Sequence, residues 1–152
     1  AGVARNLAER LGCPLVLSNF SRLVIDPNRG EDDPTLVMEL YDGSIITTNR
    51  GIGAEQVADR IERCHRPYHA AVADMAARHD DTIIVSVHSF TPQFKNRPPR
   101  PWHVGLLFAE DARLSRPLIS LLEDEPGLVV GSNQPYSGHL RGDTIDRHAI
   151  AT

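Results

Sequence analysis

Short apolar, often β-branched runs alternate with helix-periodic segments along this sequence, and no other feature restricts its fold as tightly. Val3, Leu7, Ala8 and Leu11 fall on one helical face, and Gly12 follows where a helix C-terminus calls for glycine. Residues 14–18 form an apolar run suited to a buried strand of a parallel sheet. Residues 54–79 carry Val57, Ile61, Cys64, Tyr68, Val72 and Met75 at helical spacing, which predicts an amphipathic helix of several turns. Pro67 removes a backbone donor from that helix and predicts a kink or break near residues 63–66. Residues 81–87 read as the strongest strand, buried on both faces, ending at His88. Beyond a proline-rich loop at 91–101, residues 103–108 predict a strand, 112–123 a helix and 128–131 a further strand. Strands separated by helices predict a layered α/β fold with a largely parallel sheet, its ligand crevice beyond the carboxyl ends of the strands. Residues 19–30 are rich in polar residues yet contain Leu23, Val24 and Ile25, and the Gly-, Asp-, Pro- and Thr-rich residues 30–53 predict a long surface excursion over the sheet. Residues 143–152 contain no recognisable closing element.

Composition narrows the class. A length of 152 residues predicts one domain and one core. With 41% hydrophobic and 24% charged residues the chain should fold and should not behave as a disordered tail. The formal charge of −4 and the absence of a basic run argue against nucleic acid as a partner. No apolar stretch reaches the ~20 residues needed to cross a bilayer, so no membrane span is expected. The first residues show no basic and apolar regions of an export signal. Cys13 and Cys64 form neither a metal pair nor a disulfide framework; two reduced thiols and a cytoplasmic location are expected.

Few side chains stand where chemistry could use them. His88 ends the predicted central strand, where a neutral imidazole can ligate a metal or simply hydrogen-bond within the structure. His65 and His69 are one helical turn apart, but Pro67 lies between them and no glutamate accompanies them, which favours an exposed or supporting role over a zinc face. Asp26-Pro27-Asn28-Arg29 places a carboxylate, an amide and a guanidinium in one turn. Arg29 could grip a substrate carboxylate through two parallel bonds, or pair with Asp26 and merely pin the turn. Asn133 to Gly138 is a second polar turn, whose Tyr136 could either pack or offer a phenol to a ligand.

Taken together, six segments resemble the N-formylglutamate amidohydrolase family, in order and nearly end to end. They are SNFSRLVIDPNR from Ser18, RPYH from Arg66, VSVHSFTP from Val85, RPWHVGLLF from Arg100, NQPYSG from Asn133 and DTIDRH from Asp143. The family is related in fold to the zinc carboxypeptidases, so the resemblance implies a three-layer α/β/α architecture with a mostly parallel or mixed sheet. It implies that His88 binds Zn2+, that Arg29 holds the substrate carboxylate with Asn28 beside it, and that Tyr136 closes over the ligand as a catalytic group. Arg22 and Asn133 are further implied substrate contacts, with His69, His103 and His148 in supporting positions. The reaction implied is metal-assisted hydrolysis of an N-acyl amino acid, N-formyl-L-glutamate giving formate and L-glutamate in histidine degradation. Two other readings stand beside it: a family member acting on another acylated substrate, and a non-catalytic carboxylate-binding domain. The H-x-G motif that carries the family's first metal ligand and the I-E-I-R strand with its general base have no counterpart here. The resemblance is therefore to the middle of a single, truncated domain spanning residues 1–152.

Overall fold

The computed structural model describes residues 2–138 and 140–150 and shows a mixed α/β arrangement of short strands and helices. The chain divides into two compact units, Ala1–Ser89 with Arg141–Thr152, and Phe90–Leu140.

The first unit opens with α1 (Gly2–Leu11), closed as expected by Gly12 at φ +61°. The face expected to be buried is not. Val3, Leu7 and Leu11 are exposed, and Ala4 is the buried residue of the helix. The strand expected at residues 14–18 is also absent from the described structure. The stretch at residues 30–53 is more than the expected surface excursion, since its Leu36 and Met38 are buried together with Ile25 of the preceding segment. A small antiparallel hairpin, β1 (Leu40–Tyr41) with β2 (Ser44–Ile45), and a 3-10 turn at Thr47–Asn49 give it structure. Fully buried Asn49 ties it together, donating to the carbonyls of Leu23 at 2.7 Å and Met38 at 2.8 Å and accepting from Arg60 at 2.8 Å. A buried amide with all of these bonds made closes a loop as firmly as apolar packing does.

The predicted interruption of the long helix is present, as a wide turn. α2 (Ala54–Arg60) runs into a π-helical turn at Ile61–His65 and continues as α3 (Arg66–Ala76). Pro67 near the start of α3 has no N–H to offer the preceding turn, and Arg66 N instead reaches back five residues to Ile61 O. The extra residue in that turn rotates His65 and His69 inward; both are buried, so of the exposed or supporting roles expected for them the exposed one is excluded. A second π-helical turn, Asp146–Ile150, supplies the closing element that the sequence did not suggest.

Residues 81–87 depart furthest from expectation. They pair with no strand among the described residues, and Ile83, Val85 and Val87 are 73%, 60% and 41% exposed. A β-branched run becomes a strand only when a neighbour exchanges ladder hydrogen bonds with it.

In the second unit β3 (Val104–Leu106) pairs in parallel with β4 (Val130–Ser132), and α4 (Ser115–Glu123) connects them, matching the predicted strand-helix-strand order. Gly105 and Gly138 are required there by space. A Cβ on Gly105 would run into the carbonyl of Gln134, and one on Gly138 into the backbone of Phe108.

Candidate functional site

Asp26, almost fully buried, organises the turn that follows it. Its Oδ1 accepts from Asn28 N at 3.0 Å, and its Oδ2 accepts from Arg22 at 2.9 Å. Its backbone carbonyl accepts from Arg29 N at 3.2 Å. These are the bonds of an Asx turn, which a short carboxylate makes where a helix former could not. Asn28 spends its Oδ1 on Thr144 N at 3.2 Å, joining the turn to the C-terminal segment.

The ion pair between Arg29 and Asp26 is not formed, because Asp26 belongs to Arg22. Arg29 lies instead against residues 33–35: its Nε donates to Thr35 Oγ1 at 3.1 Å and sits 3.8 Å from Asp33 Oδ2. Burial opposes ionisation of Asp33, yet hydrogen bonds from Thr35 and the charge of Arg29 hold its carboxyl below the usual range. Nη1 of Arg29 bonds the Asn28 carbonyl, whereas Nη2 meets no partner among the described residues. The side chain is about a quarter exposed, at 24%, so the planar fork is braced along one edge and reachable along the other. Arg22 is half-exposed, packed 5.4 Å from the centre of the Tyr41 ring.

Two imidazoles support this turn from α3 and the turn before it. His65 Nε2 donates to the Arg29 carbonyl at 2.8 Å, and His69 Nε2 donates to the Pro27 carbonyl at 2.9 Å. His69 Nδ1 is thereby left as an acceptor and takes a hydrogen bond from His148 Nε2 at 2.8 Å. Burial first, then the charges of His65, Arg147 and His148, push the His69 pKa down to about 4, so the ring is neutral. His65 Nδ1 is buried without a hydrogen-bond partner, 3.8 Å from Glu31 Oε1. Glu31 is fixed by Arg66 at 2.8 Å, and that bond lowers its pKa.

His88 feels the charges of Asp26, Arg22, Asp143 and Arg29, which places it in the field of the same turn. Protein atoms crowd its ring enough to lower its pKa, yet its surface is open, and surface decides whether a ligand can reach it. Its Nε2 lies 2.8 Å from Ser86 Oγ. A neutral, accessible imidazole suits a metal. A single imidazole does not fix one, however, and among the described residues no group of three or more His, Cys, Asp or Glu could hold an ion. The described residues do not by themselves make a zinc site.

Asn133 and Tyr136 belong to the second unit. Asn133, at φ +50°, accepts from Phe108 N at 2.9 Å through its side chain and docks its turn on β3. Tyr136 is exposed, and its hydroxyl accepts from Arg100 at 3.1 Å, with the guanidinium stacked among Phe90, Phe94 and the tyrosine ring. His103 Nδ1 accepts from Val129 N at 2.9 Å, a structural role.

Sequence reasoning missed Asp33, Thr35 and Thr144, the groups that brace Arg29 and Asn28. Asp33-Pro34-Thr35 carries a turn signal, but nothing in it points to Arg29.

Comparison with known families decides what kind of protein holds this arrangement. The family model described as N-formylglutamate amidohydrolase matches residues 1–152. The chain belongs to the N-formylglutamate amidohydrolase family. No curated protein matches it. Among solved structures, the family chain resembles the crystal structure of gene product Atu2144 from Agrobacterium tumefaciens, with a TM-score of 0.88 and 29% sequence identity. That likeness covers 99% of this chain and 61% of the other, so this amidohydrolase-family chain spans about three-fifths of its neighbour's length. Among its described residues no helix is long and apolar enough to cross a membrane.

Proposed function

We propose that this chain forms the substrate-carboxylate side of an amidohydrolase acting on N-acyl amino acids, N-formyl-L-glutamate being the substrate the family points to. The reading rests on one observation: in a chain of this family, the Asp26 turn holds Arg22 through its carboxylate and Arg29 through its backbone carbonyl, and leaves one edge of the Arg29 guanidinium reachable. A formylated glutamate keeps two carboxylates. Arg29 offers a guanidinium edge for one of them and Arg22 a candidate for the other, with Asn28 between them in the turn. The net reaction adds water across the amide, the hydroxyl going to the formyl carbon and the proton to the amine, to give formate and L-glutamate.

His88 is the donor this chain contributes toward a metal, and Tyr136 the phenol it contributes over the ligand. Zinc, bound with further ligands from outside this chain, would polarise the amide carbonyl and activate water. The complete sheet is proposed to be the three-layer, carboxypeptidase-like one, and the product to enter histidine degradation in the cytoplasm. The test is a deformylation assay on the complete protein together with metal analysis. Formate release from N-formyl-L-glutamate, with metal content and turnover lost together in His88→Ala, supports the reading. A purified protein that binds N-formyl-L-glutamate without turning it over would favour a non-catalytic carboxylate-binding domain.

A further inference from the structure

The sequence D-P-N-R can form a turn anywhere, and what holds this one in a single geometry is unusual. The two carbonyls on either side of Asn28, those of Pro27 and Arg29, each accept from a buried imidazole, His69 at 2.9 Å and His65 at 2.8 Å. The two rings are themselves 4.4 Å apart between centroids, tilted by 52°. His148 stacks on His69 at 5.1 Å and donates to its Nδ1, which fixes the tautomer that keeps the Nε2–H aimed at Pro27. Core packing alone does not call for this arrangement, since apolar side chains would fill the same volume without burying polar ring nitrogens. An imidazole chain that ends on the backbone of a substrate-binding turn fixes where the next side chains point.

We infer that His69, oriented by His148 and assisted by His65, is a positioning residue for substrate binding, setting the direction in which Asn28 and Arg29 present their side chains. The inference rests on the carboxylate-binding role given above to Arg29. Nothing in it requires the imidazoles to touch substrate or to transfer protons. Their effect should appear in KM and leave kcat alone.

The experiment uses the complete protein with N-formyl-L-glutamate and compares Arg29→Lys, His69→Ala, His69→Gln and His148→Ala. His69→Ala should raise KM about tenfold with kcat within a factor of two, the loss of one well-made hydrogen bond. His69→Gln, whose amide can still donate to the Pro27 carbonyl, should recover most of that loss. His148→Ala should raise KM a few-fold. If Arg29→Lys raises KM and folded His69→Ala does not, the brace is overturned while the carboxylate site stands. If Arg29→Lys leaves KM unchanged, both are overturned. Failure of His69→Gln to fold would also overturn the brace, because it would show the ring to be a core group that the fold cannot lose.

Discussion

At the scale of single residues the turn around Asp26 separates binding from stability. Asp26 is spoken for by Arg22 and by Asn28 N, so Arg29 is not needed to satisfy it. Arg29→Lys keeps the charge near Asp33 but loses the planar fork, and a charge-assisted hydrogen bond contributes ~1.5–3 kcal/mol. In the complete protein kcat/KM for N-formyl-L-glutamate should fall roughly ten- to hundred-fold with metal content unchanged. A drop in melting temperature with normal kinetics would instead make Arg29 a purely structural residue. His69 sets a pH dependence. Its pKa is depressed to about 4 in the folded protein, so between that value and the ordinary 6.5 the unfolded chain binds more protons. Stability from this group is complete above about pH 6.5 and is lost as pH falls toward 4, on the order of 3 kcal/mol in all. His88 and His148, also depressed, act in the same direction. Melting temperatures measured at pH 7.5 and pH 5 should therefore differ, and His69→Gln should shrink the difference.

At the scale of elements the two glycines that admit the turn carrying Tyr136 are the weak points. Gly105, in the middle of β3, leaves room for the Gln134 carbonyl. Gly105→Ala must push that carbonyl away or open the β3–β4 pairing, an overpacking cost of about 2 to 3 kcal/mol. The expected outcome is a melting temperature lower by several degrees and a shifted emission from Trp102, the sole tryptophan, whose ring edge lies against Gly131. Unchanged emission and stability would mean that the turn can move off the strand freely. The π-helical turn at Ile61–His65 is the counterpart in the first unit. It exists because Pro67 cannot donate, and it is what carries His65 and His69 round to the Asp26 turn.

For the whole molecule the decisive quantity is uncovered apolar surface. Ile83, Val85 and Val87 stand open along one segment, and Val3, Leu7 and Leu11 along α1. Contiguous apolar surface of this kind favours association, and a run of strand-forming residues without a partner adds an edge on which other chains can pair. The 152-residue chain in isolation should bind a hydrophobic dye and aggregate at micromolar concentrations. A monodisperse, cooperatively unfolding chain with little dye binding, seen by light scattering and thermal denaturation, would show that these residues are covered in solution.

Local chemistry alone determined much of this protein. Gly12 ends α1, Pro67 interrupts the long helix, the strand-helix-strand order of the second unit follows the periodicity, and Asp26-Pro27-Asn28-Arg29 forms a turn, since each depends on residues within a few positions. Partners distant in sequence were not legible. That residues 30–53 hold Leu36 and Met38 in the core depends on Asn49 reaching Leu23 and Met38, and the brace on Asn28 and Arg29 comes from His65, His69 and Thr144. The same limit explains residues 81–87: β-branching expresses a preference for a pleated neighbour, and only the tertiary structure decides whether one is there.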